Sequence, residues 1–304
     1  MTIDLPRRRR LLVIFNPIAG RRARQRLDAA LAALQRLGVS VVLRETHAPG
    51  DAESYARSAR ASEFDAIAVA GGDGTMNEVV NGLVDPNLPL AILSFGTANV
   101  LAHEIGLPRD PRRLAEIVAT GPARRVALGE ALFEDGRHPR RFLLMTGIGF
   151  DAEVVDAVDF GLKQRVGKLA FAWSILVRLW RYRPHAFGLD LDGSAHREAA
   201  SVIATRARCY AGRFILAPAA RLSEPSFQLA IFKRSGRLAA LRALLLLPLG
   251  LLHRQPDIEI ATVTSVRLSG PANAPVQIDG DVLGHLPVTL RIARDPVLLV
   301  HPAG

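Results

Sequence analysis

The chain has 304 residues, a hydrophobic fraction of 49%, a charged fraction of 22% and a net charge of +10. That length suits two domains rather than one core, and the composition is that of an ordinary globular protein. The lone cysteine, Cys209, excludes an intrachain disulfide. No apolar run reaches the roughly 20 residues of a membrane span. The nearest, residues 238–252, is broken by Arg242 and Pro248. The apolar stretch after Arg7–Arg10 is too short for a signal-peptide core, and Asn16-Pro17 interrupts it. The expectation is a cytoplasmic protein that touches a membrane without crossing it.

Residues 11–15 form an apolar run ending at Asn16-Pro17, as a buried parallel strand does. A helix is expected over 21–37, with Ala23, Leu27, Ala30, Leu31, Leu34 and Leu37 on one face and arginines on the other. Gly38 ends it. Strands follow at 39–43, 65–70 and 90–94, with helices at 51–61 and 76–83 between them. This alternation predicts an α/β domain over residues 1–126 with a parallel sheet.

From residue 127 onward the pattern changes. Strands are expected at 141–145, 186–192, 198–205, 227–232, 258–261, 265–269, 275–278 and 288–292. Turn residues such as Asp192-Gly193 and Asp279-Gly280 flank them. Helical insertions are expected at 168–181 and 238–252. The prediction for 127–304 is an antiparallel β-sandwich, with its last strand or strands free to return to the first domain.

The most specific motif is Gly71-Gly72-Asp73-Gly74-Thr75-Met76-Asn77-Glu78, between an apolar strand and a helix. Glycines let a phosphate approach the backbone, and a helix N-terminus offers N–H donors and a positive dipole end. Thr75 adds a hydroxyl donor. Asp73 would repel phosphate unless a cation lay between them, which points to Mg²⁺. An ordinary strand-to-helix turn explains Gly-Gly alone but not all five residues in this setting. The segment is neither a Walker loop nor G-x-G-x-x-G. Asn16-Pro17-Ile18-Ala19-Gly20, Thr46 and Ser94-Phe95-Gly96-Thr97-Ala98-Asn99 follow other strands of the same sheet. Each alone reads equally as a turn. Their convergence on the carboxyl edge, where α/β sheets bind ligands, is the stronger signal.

Together these residues resemble the diacylglycerol kinase catalytic domain family, which includes sphingosine and ceramide kinases and bacterial YegS-like lipid kinases. The likeness runs over nearly the whole chain. Asn16-Pro17-x-x-Gly20 resembles its first motif, Gly71-Gly72-Asp73-Gly74-Thr75 its hallmark and Gly96-Thr97-Ala98-Asn99 its third. Gly147-Ile148-Gly149-Phe150-Asp151-Ala152 is similar to the start of its second domain, and Leu216-Ala217-Pro218 to a later element. Asp279-Gly280-Asp281 stands where the family carries Asp-Gly-Glu.

The resemblance implies an NAD-kinase-type first domain, a C-terminal β-sandwich and an ATP-phosphate site in the cleft between them. It implies that Asn16, Thr97 and the Gly71 to Glu78 loop hold ATP, with Asp73 linked to Mg²⁺. Thr46 and Asn99 are further nucleotide candidates from their places at strand ends. Asp279 would act on the acceptor hydroxyl, and Asp281 would orient substrate or metal beside it. Three departures qualify the transfer. Val100 stands where many bacterial diacylglycerol kinases have Asp. The 219–227 segment, with Arg221, Glu224 and Pro225, makes a poor oxygen cage, so a structural Mg²⁺ site is not carried over. Asp281 is a methylene shorter than Glu.

The resulting expectation is an ATP- and Mg²⁺-dependent kinase for a lipid hydroxyl. Diacylglycerol comes first, then a sphingoid base or a related lipid. A catalytically weak lipid- or nucleotide-binding regulator and an NAD-kinase-like enzyme are the alternatives. The charge surplus suits an anionic membrane surface, the residue 171–183 stretch mixes Trp, Tyr and Arg as interfacial helices do but reads equally as packing against the β domain, and no nucleic-acid recognition motif is present.

Overall fold

The computed structural model describes residues 2–20, 22–157, 185–193 and 195–303. The expected 168–181 helix and the Trp/Arg stretch lie outside them. The chain divides into two compact units: residues 1–128, 211–213 and 294–304, and residues 129–210 and 214–293.

The first unit is an α/β layer structure. Its strands are β1 (Thr2–Ile3), β2 (Arg10–Phe15), β3 (Ser40–Glu45), β4 (Ala66–Gly71), β5 (Leu90–Ser94), β6 (Ala123–Val126) and, from the chain's end, β21 (Val297–Val300). They form one sheet in the order β1-β6-β21-β5-β4-β2-β3. Pairing is parallel from β3 across to β21 and antiparallel at β6 and β1. Every residue of β4 and β5, and all of β2 after Arg10, is buried, as a sheet covered on both faces requires.

Helix α1 (Ala23–Arg36) buries Ala23, Leu27, Ala30, Ala33 and Leu34. Gly38, at φ 69°, turns the chain out of it. Helices α2 (Asp51–Ser58), α3 (Asp73–Gly82), α4 (Val100–Glu104) and α5 (Pro111–Thr120) complete the unit. Pro111 opens α5 and Asp110 caps it, accepting the Arg112 N–H at 3.2 Å. The other end of α5 receives Arg8, a buried guanidinium that donates to the carbonyls of Ile117, Val118 and Gly121. A cation there satisfies carbonyls that the helix leaves unpaired.

The second unit is a pair of six-stranded antiparallel sheets. Its strands are β7 (Gly129–Phe133), β8 (Arg140–Phe142), β9 (Met145–Ile148), β10 (Phe187–Leu191), β11 (Ala195–Ala199), β12 (Ser201–Thr205), β13 (Cys209–Tyr210), β14 (Phe214–Ile215), β15 (Phe227–Phe232), β16 (Ile258–Val263), β17 (Ser265–Ser269), β18 (Pro275–Ile278), β19 (Asp281–His285) and β20 (Val288–Ile292). One sheet runs β11-β10-β17-β20-β7-β8, the other β16-β15-β12-β9-β18-β19, and β13 pairs with β14 apart from both. A single core holds Phe133, Phe142, Phe187, Phe227, Val266 and Leu290. The Phe142 and Phe227 rings stack at 5.6 Å. Gly129 and Gly284 make room for these rings, since a Cβ at either would fall within 2.3 Å of Phe142 or Phe133. Helix α6 (Phe150–Ala157) follows β9, and α7 (Arg237–Leu246) separates β15 from β16.

The sequence reading missed α4, α5, α6 and the short strands β1, β6, β7, β13, β14 and β19; it allowed the last strand to return to the first domain, as β21 does, without giving its range. It also began α3 three residues late. The Asp73, Gly74 and Thr75 residues are themselves the first helical turn, so the glycine-rich segment is a helix start rather than a loop.

Candidate active site

Four strand ends of the first unit meet at its carboxyl edge. Asn16, just past β2, takes its backbone N–H to Ala70 O at 3.0 Å and donates from Nδ2 to Thr75 Oγ1 at 3.1 Å. Its Oδ1 accepts the Ile18 N–H, which fixes the Asn-Pro turn. The Gly71 carbonyl accepts from Phe95 N (2.9 Å) and Gly96 N (3.2 Å). This pinches β4 and β5 together so closely that a Cβ on Gly96 would lie 2.6 Å from Gly72 Cα. A Cβ on Gly20 would lie 2.5 Å from the Phe95 carbonyl oxygen. Gly20 and Gly96 are therefore packing requirements of this edge.

Helix α3 starts at this point with Gly72 as its N-cap and no side-chain cap bond. Its leading N–H groups have no intrahelical acceptor. Thr97 is exposed beside Gly96. Asn99 sits in the left-handed region at φ 48° and donates from Nδ2 to Gly96 O at 2.6 Å. Its buried Oδ1 meets no donor among the described residues. Backbone N–H groups at a helix start, an exposed hydroxyl and bare glycine Cα atoms suit a phosphate.

Other expected contacts have different tasks. The Asp73 carboxylate accepts the N–H groups of Val100 (2.8 Å) and Leu101 (3.1 Å). Each oxygen accepts one N–H at the start of α4, so Asp73 has a structural task besides the Mg²⁺ link expected of it. Burial pushes its carboxyl up, against the pull of these two donors. Glu78 Oε2 accepts from Gly50 N (3.1 Å) and Ala52 N (3.2 Å), capping α2. Asn77 is buried and accepts from Asn81 Nδ2. Thr46 is buried, its hydroxyl toward Phe15 O. The geometry thus gathers Asn16, Gly71, Gly72, Gly74, Thr75, Thr97 and Asn99 around the start of α3.

A cation near the third motif escaped the sequence reading. The Arg26 guanidinium lies 4.7 Å from the centre of the Phe95 ring, and Nη2 donates to Arg109 O. Burial, then Arg109, lowers its pKa. Burial, Arg109 and Arg213 likewise lower that of His103. An amphipathic α1 crowded with arginines gave no signal that one of them stacks on the motif's aromatic ring.

In the second unit, Asp279 and Gly280 make the turn between β18 and β19, at φ 49° and 98°. A two-residue hairpin of the I′ kind needs both positive angles. The Asp279 carboxylate is only 7% exposed and accepts three N–H groups, from Leu143 (2.8 Å), Leu144 (3.0 Å) and Met145 (2.8 Å). It turns back onto the lead-in to β9. Asp281 is partly exposed. Behind the turn, Gln277 accepts the Gly280 N–H at 2.9 Å and donates to Asp151 Oδ2 at 2.8 Å, while the Tyr210 hydroxyl donates to Asp151 Oδ1. Burial raises the Asp151 carboxyl, more than these two neutral donors lower it. The Tyr210 hydroxyl is raised by burial and by Asp151.

No group of three His, Cys, Asp or Glu side chains that could hold a metal exists among the described residues. The described residues therefore offer no cage of three such side chains for Mg²⁺. Mg²⁺ commonly arrives on substrate phosphates and keeps several waters.

Residues 10–131 match the diacylglycerol kinase catalytic domain, and residues 145–301 match the YegS C-terminal NAD kinase beta sandwich-like domain. A Bacillus subtilis (strain 168) diacylglycerol kinase is 30% identical over 284 residues, 92% of each chain. One from Staphylococcus carnosus (strain TM300) is 26% identical, with 97% of this chain and 96% of that one covered. A crystal structure of a diacylglycerol kinase from Bacillus anthracis str. Sterne superposes with a TM-score of 0.76, over 98% of both chains at 22% identity. That likeness concerns the fold.

Proposed function

The chain belongs to the diacylglycerol kinase catalytic domain family and is a lipid kinase; on that premise we propose that it transfers the γ-phosphoryl group of Mg²⁺-bound ATP to a lipid hydroxyl, with diacylglycerol as first substrate and phosphatidic acid as product. A sphingoid base is the second candidate. The observation that carries the phosphate seat is the side-chain-uncapped start of α3, opposite Gly96 and the exposed Thr97.

Positioning and charge neutralisation do most of the work in such transfers. The N–H groups of residues 72–75 hold the phosphates, Thr97 adds a hydroxyl, and Asn16 holds Thr75 in place. Mg²⁺ belongs to the nucleotide substrate and supplies charge neutralisation when bound. The acceptor's proton goes to the acidic turn of the second unit. There Asp279 fixes the turn through its three backbone bonds, and Asp281 is the partly exposed carboxylate. The sequence expectation gave the proton to Asp279 and orientation to Asp281; we assign the proton to Asp281, the more exposed carboxylate, and to Asp279 the positioning of the turn. The reading also makes the protein a cytoplasmic one that binds anionic membrane surfaces peripherally.

An acceptor panel tests this reading. Purified protein receives Mg-ATP with diacylglycerol, a sphingoid base or NAD in turn. Turnover with diacylglycerol above the other two supports it. Turnover with NAD alone, or with none of the three, removes it.

A further inference from the structure

Helix α7 and the turn after it break the usual rule for a surface helix. Leu238, Leu241, Leu245 and Leu249 recur at intervals of three and four, a single face of a helix. That face points to solvent: Leu238 is 84%, Leu245 62% and Leu249 67% exposed. The opposite side is apolar too, with Ala240, Leu247 and Leu252 buried against the unit. A helix lying on a globular protein normally turns a polar face outward. Here the only charges within α7 are Arg237 and Arg242, and Arg242 is paired with Asp257.

The charges around this stripe are of one predominant sign. From Lys233 to Glu259 there are five basic side chains (Lys233, Arg234, Arg237, Arg242, Arg254) and two acidic ones. Lys233 is bound to Glu259 at 2.7 Å, while Arg234, Arg237 and Arg254 are exposed at the two ends of the stripe. Apolar residues flanked by cations match an anionic bilayer, whose headgroups attract arginine while its acyl boundary takes leucine. No helix among the described residues is long and apolar enough to cross a membrane, so such contact is interfacial.

We propose that the Leu238–Leu241–Leu245–Leu249 face of α7 and its following turn is the docking surface by which this protein settles on an anionic lipid bilayer. The proposal deepens the lipid-kinase reading and rests on it, since an enzyme acting on a membrane lipid must reach the bilayer. It differs from the sequence expectation, which put the interfacial contact at residues 171–183.

The test is co-sedimentation of the full chain, without ATP, on vesicles of phosphatidylcholine alone or mixed with phosphatidylglycerol. Wild type should bind the mixed vesicles more tightly. A Leu238→Ser/Leu245→Ser double variant should lose about 10- to 100-fold in partitioning, because two leucines leave the apolar boundary. Arg234→Glu/Arg254→Glu should abolish the preference for anionic vesicles. Both variants should keep wild-type activity on a short-chain diacylglycerol presented as monomer in solution. Unchanged vesicle binding by the leucine variant overturns the proposal. So does a wild-type dimer that the leucine variant dissociates while still binding vesicles, since the stripe would then join two copies of the chain. Loss of vesicle binding by the variants, with wild type itself inactive on the soluble lipid, upholds the docking surface and overturns the kinase reading instead.

Discussion

Asp73 accepts the backbone N–H of Val100 at 2.8 Å, tying the first turn of α3 to the first turn of α4. The hallmark motif thereby holds the third motif in place. Asp73→Ala would leave the Val100 and Leu101 donors without their acceptor, at a cost of about 2–4 kcal/mol. Urea denaturation should show that loss, and the KM for ATP should rise as Thr97 and Asn99 shift. Asp73→Asn keeps one acceptor oxygen and should fall between. A role confined to metal would instead leave stability unchanged.

The acidic turn separates into two testable tasks. Asp279→Asn places an amide N–H₂ among three backbone donors, so it should lose stability by about 2–4 kcal/mol and lower kcat as the turn loosens. Asp281→Asn should lose less stability than Asp279→Asn yet about 10²- to 10⁴-fold in kcat, with little change in the KM for ATP. Denaturation midpoints read beside steady-state kinetics make the distinction. Full stability of Asp279→Asn together with the larger kcat loss would return the proton to Asp279.

Asp151 gives a pH signature. Its folded-state pKa is raised above the ordinary value of 3.8. The folded chain therefore holds a proton there more tightly than the unfolded chain. Its contribution to stability is full below 3.8 and is lost as pH rises through the folded value. Asp151→Asn removes that titration. The difference in Tm, variant minus wild type, should grow as pH is raised from the acid range toward neutrality. A difference independent of pH would show that Asp151 does not titrate this way.

Gly96→Ala and Gly20→Ala test the packing of the strand ends. The new Cβ atoms would meet Gly72 Cα at 2.6 Å and Phe95 O at 2.5 Å, both backbone. Overpacking of this kind costs about 1–3 kcal/mol. Thermal unfolding should show both variants destabilised; wild-type midpoints would mean that the edge is looser than these distances state.

The parallel strands were legible because burial on both faces leaves continuous apolar runs such as Leu11 to Phe15. The convergence of Asn16, Gly72 and Gly96 followed from strand order alone. What the sequence concealed was the use of polar side chains. Asp73 and Glu78 look like ligand groups by type, but each caps a neighbouring helix, a contact set by tertiary packing. Asp279-Gly280 reads from sequence as a turn and nothing more local, because the partners of the Asp279 carboxylate lie about 135 residues earlier in the chain. Short strands such as β6 (Ala123–Val126), with two arginines, carry no two-residue alternation to detect.

The central claim is that ATP phosphates rest against Gly72 on their way to a lipid. Gly72→Ala tests it most directly. Among the described residues beyond its chain neighbours, its new Cβ would meet only Gly96 Cα, at 3.4 Å, and φ is −105°, where alanine is unstrained. The variant should therefore unfold at nearly the wild-type temperature. Label transfer from γ-phosphate-labelled ATP to diacylglycerol should nonetheless fall steeply, with a raised KM for ATP and an unchanged KM for the lipid. A folded Gly72→Ala protein that labels diacylglycerol with wild-type KM and kcat would contradict the account.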